Sequence, residues 1–263
     1  MAGSKKTKWP LAYKQVDLNQ DSSLIKLVAI LAMVCDHTGK MLFHNNATMR
    51  IIGRLAFPLF AYCVAMGCVY TKNHAKYLSR MVMVGLISQP FYALSMDHTV
   101  PAMFAISFRE NPVGAAVNFY VQSWAHPTVF ATLAMGLIII WTLRERQLWL
   151  TLALALLTWK LSNSLDYAWR GVALIVLFYL FIIRWWMSLP VILAYMVWWG
   201  LTRGSSYHLF GFSFGLQMFA ILALPLIYIH TKSNLKINKW VFYLFYPAHL
   251  VGLLLIELAL KAV

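Results

Sequence analysis

The first apolar stretch of the chain carries charged residues that a membrane-spanning helix rarely contains. Lys26 and the adjacent residues Asp36 and His37 lie in a run that is otherwise almost wholly apolar. A charge at a helix centre costs about 2.5–3.5 kcal/mol on insertion scales, so such residues indicate a function. Lys26 and His37 fall on one helix face, about 16 Å apart along the axis. This spacing suits an elongated anionic donor whose phosphates contact Lys26 and whose reactive end reaches the imidazole of His37.

Asp36 precedes His37 and lies four residues before Lys40. As a functional residue, Asp36 would orient His37 or stabilise its charged form, although adjacent helix residues point about 100° apart. A partner from another helix fits that role equally well. In the structural alternative, Asp36 forms an ion pair with Lys40 and His37 is a packing residue.

A second polar intrusion lies in segment 53–60, which reads GRLAFPLF. We expect a helix to begin near residue 51, which places Arg54 one turn inside it. Pro58 would then remove the hydrogen bond to the carbonyl of Arg54. Arg54 would bind an anion or a carbonyl oxygen beside His37. Alternatively, its side chain reaches the outer membrane interface as an anchor.

Two later segments contribute further candidates for substrate binding. Tyr243, Tyr246 and His249 follow one another at three-residue intervals and predict one polar helix face. They would line the acceptor side of a pocket, or form a structural hydrogen-bond network. Asp166 and Arg170 lie four residues apart at the outer end of another apolar run. Their spacing is also typical of an interfacial ion pair.

The composition places these residues in a membrane protein. Of 263 residues, 61% are apolar and 11% are charged, whereas a soluble domain has about 25% charged residues. Several apolar runs approach the ~20 residues that cross a bilayer. The sequence therefore predicts an all-α transmembrane bundle of about nine spans, within a range of eight to ten. Residues 1–21 are predicted to be a basic cytoplasmic segment and residues 22–263 a single transmembrane domain. The predicted spans are 23–43, 52–71, 77–95, 127–143, 147–161, 167–184, 186–202, 213–230 and 240–260.

The charge distribution bears on orientation and on partners. The formal net charge is +14, and the basic residues sit between the apolar runs. They favour one side of the membrane, which predicts a plasma-membrane protein with a cytoplasmic N-terminus. No basic helix face with interleaved aromatics lies outside the apolar runs, so nucleic acid is not expected as a partner. Membrane lipid is. No zinc-ligand spacing occurs, and we expect no metal.

Several stretches of the chain resemble the TraX family of membrane proteins. They are residues 25–37, the GRLAFPLF segment, residues 127–136, Asp166-Tyr167 and the terminal FYLFYPAHL at 242–250. The likeness covers roughly residues 22–260. It implies a transmembrane acyltransferase fold. The family's founding member is associated with N-terminal acetylation of a conjugative pilin.

The resemblance also implies a reaction and roles for the residues. The wider superfamily of multi-span acyltransferases moves acetyl groups from cytoplasmic acetyl-CoA to extracytoplasmic amines or hydroxyls. Its first span carries a basic residue and a histidine eleven positions later, which matches Lys26 and His37, with Lys in place of the more usual Arg. His37 and Asp36 are then catalytic, and Lys26 and Arg54 bind the donor. The acceptor would be a protein N-terminus, a polysaccharide or a cell-wall polymer.

Two other functions use the same residues. A secondary transporter would use the polar side chains as a path for a small polar or anionic solute or for protons. A non-catalytic factor for assembling surface structures would need Asp36 and His37 only to hold helices together. The long connection 96–126 is either a lid or an ordinary connector.

Overall fold

The computed structural model describes residues 16–96, 98–162, 165–202, 204, 206–209 and 212–261. Short 3₁₀-helices cover Pro101–Phe104 and Leu216–Ala223, and strands β1 (Tyr207–Leu209) and β2 (Phe212–Phe214) form an antiparallel hairpin. The prediction of a predominantly helical protein is confirmed. The helices are α1 (Ser22–Met41), α2 (Ala47–Gly53), α3 (Ala56–Tyr70), α4 (His74–Ser95), α5 (Pro112–Ser123), α6 (Val129–Arg144), α7 (Leu148–Lys160), α8 (Ala168–Phe181), α9 (Trp185–Thr202), α10 (Leu224–Tyr228) and α11 (Lys239–Lys261).

Several helices have the composition of membrane spans. Ser22–Met41, Ala47–Tyr70 and Trp240–Lys261 are long and apolar enough to cross a bilayer. Shorter apolar helices cover Val129–Arg144, Leu148–Lys160, Ala168–Phe181 and Leu216–Tyr228. Large apolar side chains face outward; Trp149 of α7 is 86% exposed. Such a surface suits contact with lipid rather than water. These features indicate an integral membrane protein, whereas the number of spans stays a prediction.

Polar caps fix where several helices begin. The Asp21 carboxylate accepts a hydrogen bond from the backbone N–H of Leu24 and starts α1. A side-chain oxygen in this position satisfies an N–H that has no partner within the first turn. Asn46, Asn73 and Asn111 cap α2, α4 and α5 in the same way.

The second predicted span is divided in two. The sequence places Arg54 one turn inside a helix that begins near residue 51. Instead, α2 begins at Ala47 and ends at Gly53, and α3 begins at Ala56, so Arg54 lies at the junction. Pro58 explains the difference, because proline fits the first turn of a helix, where N–H groups have no partner, better than its interior. The junction turns Arg54 towards the interior of the bundle, where its side chain meets α1.

The structure adds detail to one further predicted segment and corrects another. The connection 96–126 contains helix α5 and a 3₁₀-helix, so much of it is ordered structure. The predicted span 213–230 begins in strand β2 and continues as a 3₁₀-helix before α10. The pairing of Tyr207 with Phe214 keeps the start of this segment extended.

The predicted N-terminal segment continues into the bundle. Residues 1–15 lie outside the described residues, but Leu18 and Asn19 are fully buried. The Asn19 N–H donates to the carbonyl of Ile227 at 2.9 Å, and the Tyr62 hydroxyl donates to the Asn19 carbonyl at 2.6 Å. These contacts anchor the start of α1 beside α3 and α10. The domain limits at residues 21 and 22 stay a prediction.

Helix α3 lies at the centre of the bundle, and α11 lies at its edge. Nearly all side chains of α3 are buried, and the helix packs against α1, α6 and α8. Helix α11 packs mainly against α4 and also contacts α1, while its other face is exposed. The contact between α1 and α11 brings residues from the two ends of the chain together.

Candidate active site

Two histidines from opposite ends of the chain form a direct pair. Nδ1 of His37 in α1 lies 2.8 Å from Nε2 of His249 in α11. The ring planes are nearly parallel, at 16°, with centroids 5.0 Å apart. Nδ1 of His249 lies 3.0 Å from the carbonyl oxygen of Phe245, one turn earlier in α11. The three groups form a continuous hydrogen-bonded chain.

The chemistry of these groups fixes which nitrogens carry protons when both rings are neutral. The Phe245 carbonyl only accepts, so Nδ1 of His249 is the donor. A neutral imidazole with a proton on Nδ1 accepts at Nε2. His37 therefore donates from Nδ1, and its Nε2 keeps an unprotonated lone pair. That lone pair is what a general base requires.

Asp36 contacts two arginines rather than His37. Its Oδ2 lies 2.8 Å from Nη1 of Arg50, and its Oδ1 lies 2.5 Å from Nη2 of Arg54. Arg54 also donates from Nε to the Arg50 carbonyl at 3.3 Å. A Cβ on Gly53 would collide with the Asp36 carboxylate, so glycine permits this close approach of α2 to α1.

These contacts correct two predictions for Asp36. It does not orient His37, because neighbouring helix residues point in different directions and His249 occupies that role. The alternative ion pair with Lys40 is replaced by the two arginines, and the Lys40 ammonium donates to the Met96 carbonyl at 2.6 Å. Asp36 instead holds two guanidinium groups next to the histidine pair.

A cavity of about 640 Å³ lies beside the histidine pair, and we call it the histidine cavity. Lys40 and Arg50 also line it, together with Tyr92 and Tyr167, and all four were missed as site residues from the sequence. Of these four, Arg50 was the easiest to recognise from the sequence, because it is a basic residue one turn before Arg54. The predicted residues that line this cavity are Asp36, His37, Arg54, Asp166, Arg170 and Tyr246.

A second cavity, of about 290 Å³, contains Lys26, and we call it the lysine cavity. Lys26 and Arg80 are its charged residues, and no acidic side chain lines it within the described part of the chain. The Lys26 ammonium lies 5.5 Å from the ring centre of Phe242. Nε of Arg80 is buried without a hydrogen-bond partner among the described residues. From the sequence, Arg80 could have been recognised as a site residue because it is a charged residue within the apolar run 77–95.

Asp166 and Arg170 line the histidine cavity but do not form the predicted helical pair. Helix α8 begins only at Ala168, whose φ of 53° marks a turn, so Asp166 lies outside the helix. Arg170 stacks between Trp169 and Trp198, 5.2 Å from each ring centre.

The Asp166 carboxyl opens onto the histidine cavity, and the neighbouring protein displaces much of the bulk water around it. Burial raises the pKa of this carboxyl from 3.8 to about 6. Arg54 opposes that rise in pKa and Asp36 adds to it. Asp166 therefore changes charge in mildly acidic conditions.

The three residues predicted to share one face of the last helix have different positions. Tyr246 lines both cavities, whereas Tyr243 lines only the lysine cavity. His249 is 9% exposed and lies behind His37, away from the cavity wall. The substrate-binding prediction for His249 is therefore corrected to contact with the catalytic candidate His37. The structural reason is that α11 crosses α1 at this point, so His249 meets a helix rather than open space.

The family model for the TraX protein matches residues 21–257. The chain belongs to the TraX family. It is 28% identical over 241 residues to the probable fimbrial assembly protein FimC, serogroup H1, of Dichelobacter nodosus, covering 86% of this chain and 91% of that protein. It is 31% identical over 84 residues to the uncharacterized protein RP591 of Rickettsia prowazekii (strain Madrid E), covering 32% of each chain. No solved structure matches this TraX-family chain.

Proposed function

We propose that this TraX-family protein is a membrane-embedded acyltransferase that moves an acetyl group from acetyl-CoA to an amine or hydroxyl of an extracytoplasmic acceptor. One observation carries the proposal. A hydrogen-bonded chain runs from the Phe245 carbonyl through His249 to His37, which lines a large cavity, and with both rings neutral it leaves a lone pair on Nε2 of His37. Such a nitrogen can take a proton from an attacking nucleophile.

The proposed reaction uses His37 as general base. As the acceptor nitrogen or oxygen attacks the thioester carbonyl, its proton moves to Nε2 of His37. The hydrogen bond to His249 stabilises the positive ring that results. Collapse of the tetrahedral intermediate breaks the carbon–sulfur bond and releases CoA. General base catalysis of this kind typically contributes about 10²–10⁴-fold. Arg54 would stabilise the developing oxyanion, held in place by Asp36.

The lysine cavity suits the donor. Lys26 and Arg80 are cations with no acidic neighbour in the described lining, and arginine and lysine are the usual binders of phosphate groups. Most of the remaining lining is apolar, which suits the uncharged arm that carries a thioester. Acetyl-CoA would enter from the cytoplasm, in a plasma-membrane protein whose N-terminus is cytoplasmic. The proposed reaction assigns no step to a metal; no cluster of three candidate ligands occurs in the described chain.

The acceptor belongs to the cell surface in this proposal. The relative from Dichelobacter nodosus is described as a probable fimbrial assembly protein. A protein N-terminus of a surface fibre is therefore the first acceptor to test, followed by a polysaccharide and a cell-wall polymer. The same description favours a second candidate function, a non-catalytic role in fimbrial assembly. In that case the histidine pair would only hold α1 and α11 together.

A reconstituted assay separates these functions. Purified protein is reconstituted into sealed vesicles that enclose an envelope fraction from cells that lack the gene, and acetyl-labelled acetyl-CoA is added outside them. Acyl transfer predicts CoA release that depends on the envelope fraction and labels a component of it. Uptake of label without CoA release would identify a transporter. If neither transfer nor uptake is observed, the non-catalytic assembly role is favoured.

Variants with a substitution in one cavity or the other test whether the activity depends on both cavities. His37→Ala should abolish transfer, whereas His74→Ala, which removes a histidine buried between Cys68 and Trp141, should not. Lys26→Gln and Arg80→Gln should each raise the KM for acetyl-CoA with little change in kcat, because each removes binding to a part of the donor that does not react. Full activity in His37→Ala would remove His37 from the mechanism.

A further inference from the structure

Four side chains separate the two cavities. Met33, Phe60, Val129 and Tyr246 each line both the histidine cavity and the lysine cavity. They come from α1, α3, α6 and α11, so four different helices meet at this point. We call this set of residues the neck. Anything that extends from one cavity into the other must pass between them.

The neck residues belong to a packed apolar region. Met33 and Tyr246 are each 5% exposed and belong to one apolar cluster, against which Phe60 and Val129 pack. The Tyr246 ring also meets the Phe130 ring edge-to-face, with centroids 4.8 Å apart. Close-packed side chains yield little space, and each added methyl group requires several of them to move.

The neck lies directly beside the histidine pair. Met33 is four residues before His37 in α1, so the two side chains lie on the same helix face one turn apart. The rings of Tyr246 and His249 have centroids 5.3 Å apart. A thioester that reaches His37 from the lysine cavity therefore has its acyl carbons inside the neck or just beyond it.

We propose that the neck selects the acyl group, admitting short unbranched chains and excluding branched ones. This inference rests on the proposed acyl transfer. A branch next to the carbonyl widens the group where it passes between these four side chains. A long unbranched chain meets a different obstacle, because its tail would enter the histidine cavity among Asp36, Arg50 and Arg54. An apolar tail gains little beside such groups and takes the space of the acceptor.

The test compares acetyl-CoA with isobutyryl-CoA in the vesicle assay, using envelope-dependent CoA release as the measurement. Val129→Ala removes two methyl groups from the neck. It should raise the ratio of isobutyryl to acetyl kcat/KM by about tenfold, since a methyl-sized change in an apolar pocket is worth about 10–200-fold. Val64→Ala is the matched control, because Val64 lines only the lysine cavity. Its ratio should equal that of the unmodified protein.

A second pair of variants tests the inference if Val129→Ala or Val64→Ala does not fold. Met33→Ala changes the neck, and Met81→Ala makes the same change at a residue that lines only the lysine cavity. Only the neck variant should gain activity with isobutyryl-CoA.

The outcomes distinguish the inference from the proposed function. If the unmodified protein releases no CoA from either donor, acyl transfer itself is rejected. If it uses acetyl-CoA but also uses isobutyryl-CoA equally well, the neck does not select. An unchanged ratio in both neck variants, or an equal rise in the two controls, would also overturn the inference.

Discussion

The histidine pair makes a quantitative prediction about His249. Replacing it with phenylalanine keeps a ring in the same space but removes the nitrogen that accepts from Nδ1 of His37. In the resting state both rings are neutral, and this hydrogen bond is an ordinary one. In the transition state of the proposed reaction His37 would become positive, and the bond would become charge-assisted. The substitution should therefore act mainly on kcat.

The size of the effect follows from the strength of that bond. Hydrogen bonds to charged groups contribute about 1.5–3 kcal/mol. The neutral bond that is also lost in the resting state contributes about 0.5–1.5 kcal/mol, so kcat reports only the difference, about 1–1.5 kcal/mol. Since about 1.36 kcal/mol corresponds to tenfold in rate, His249→Phe should lower kcat by roughly 5–13-fold, with a KM close to that of the unmodified protein. His249→Gln supplies an amide oxygen at a similar distance along the side chain. It should recover part of the lost rate.

The assay is steady-state acetyl transfer in vesicles, with folded protein quantified for each variant. His74→Phe is the matched control, because His74 is 7% exposed and His249 is 9% exposed. This control measures the general cost of replacing a buried imidazole and should leave kcat unchanged. An unchanged kcat in His249→Phe, with His37→Ala inactive, would show that His37 works without its partner and would refute the reasoning.

Two further predictions concern the charged groups of the histidine cavity. Gly53→Ala should lower the free energy of unfolding by about 1–3 kcal/mol, as overpacking does, because the added Cβ would displace the Asp36 carboxylate. Gly252→Ala is the control, because no neighbouring atom lies within 4 Å of a Cβ added there, and it should be neutral or stabilising. Thermal melts of both variants measure the difference. For Asp166, the pKa near 6 in the folded protein exceeds its ordinary value of 3.8, so folding favours the protonated form and stability is lost as pH rises from about 4 to 6. Asp166→Asn should flatten that part of the melting-temperature profile in detergent, and parallel profiles would contradict the pKa assignment.

The sequence identified single residues of the site better than their partners. His37 was predictable because a polar side chain in lipid is costly, and that cost is local to its own helix. Its partner His249 lies 212 residues away; the sequence placed His249 on the acceptor side of the pocket but did not predict direct contact with His37. The prediction of a partner from another helix was left open for this reason.

The errors have local causes that a spacing rule does not contain. The helix break at Arg54 depends on Pro58 occupying a first turn, and the same residues also fit a continuous helix with a kink. Asp166 and Arg170 have the spacing of a helical pair, but the turn at Ala168 removes Asp166 from the helix. Arg80 was missed as a site residue, because the burial of its Nε depends on how α4 packs against the rest of the bundle.

Helix α11, which carries one member of the histidine pair, lies at the rim of the bundle. One side of this helix rests on α4 and α1, and the other presents Leu244, Leu255 and Leu258 to the surroundings. Nothing in the described protein presses on that outer side, so the bilayer supplies the lateral force there. If the protein is the proposed acyltransferase, we expect the thickness and fluidity of the lipid to change the spacing of the two imidazoles and, with it, the turnover rate.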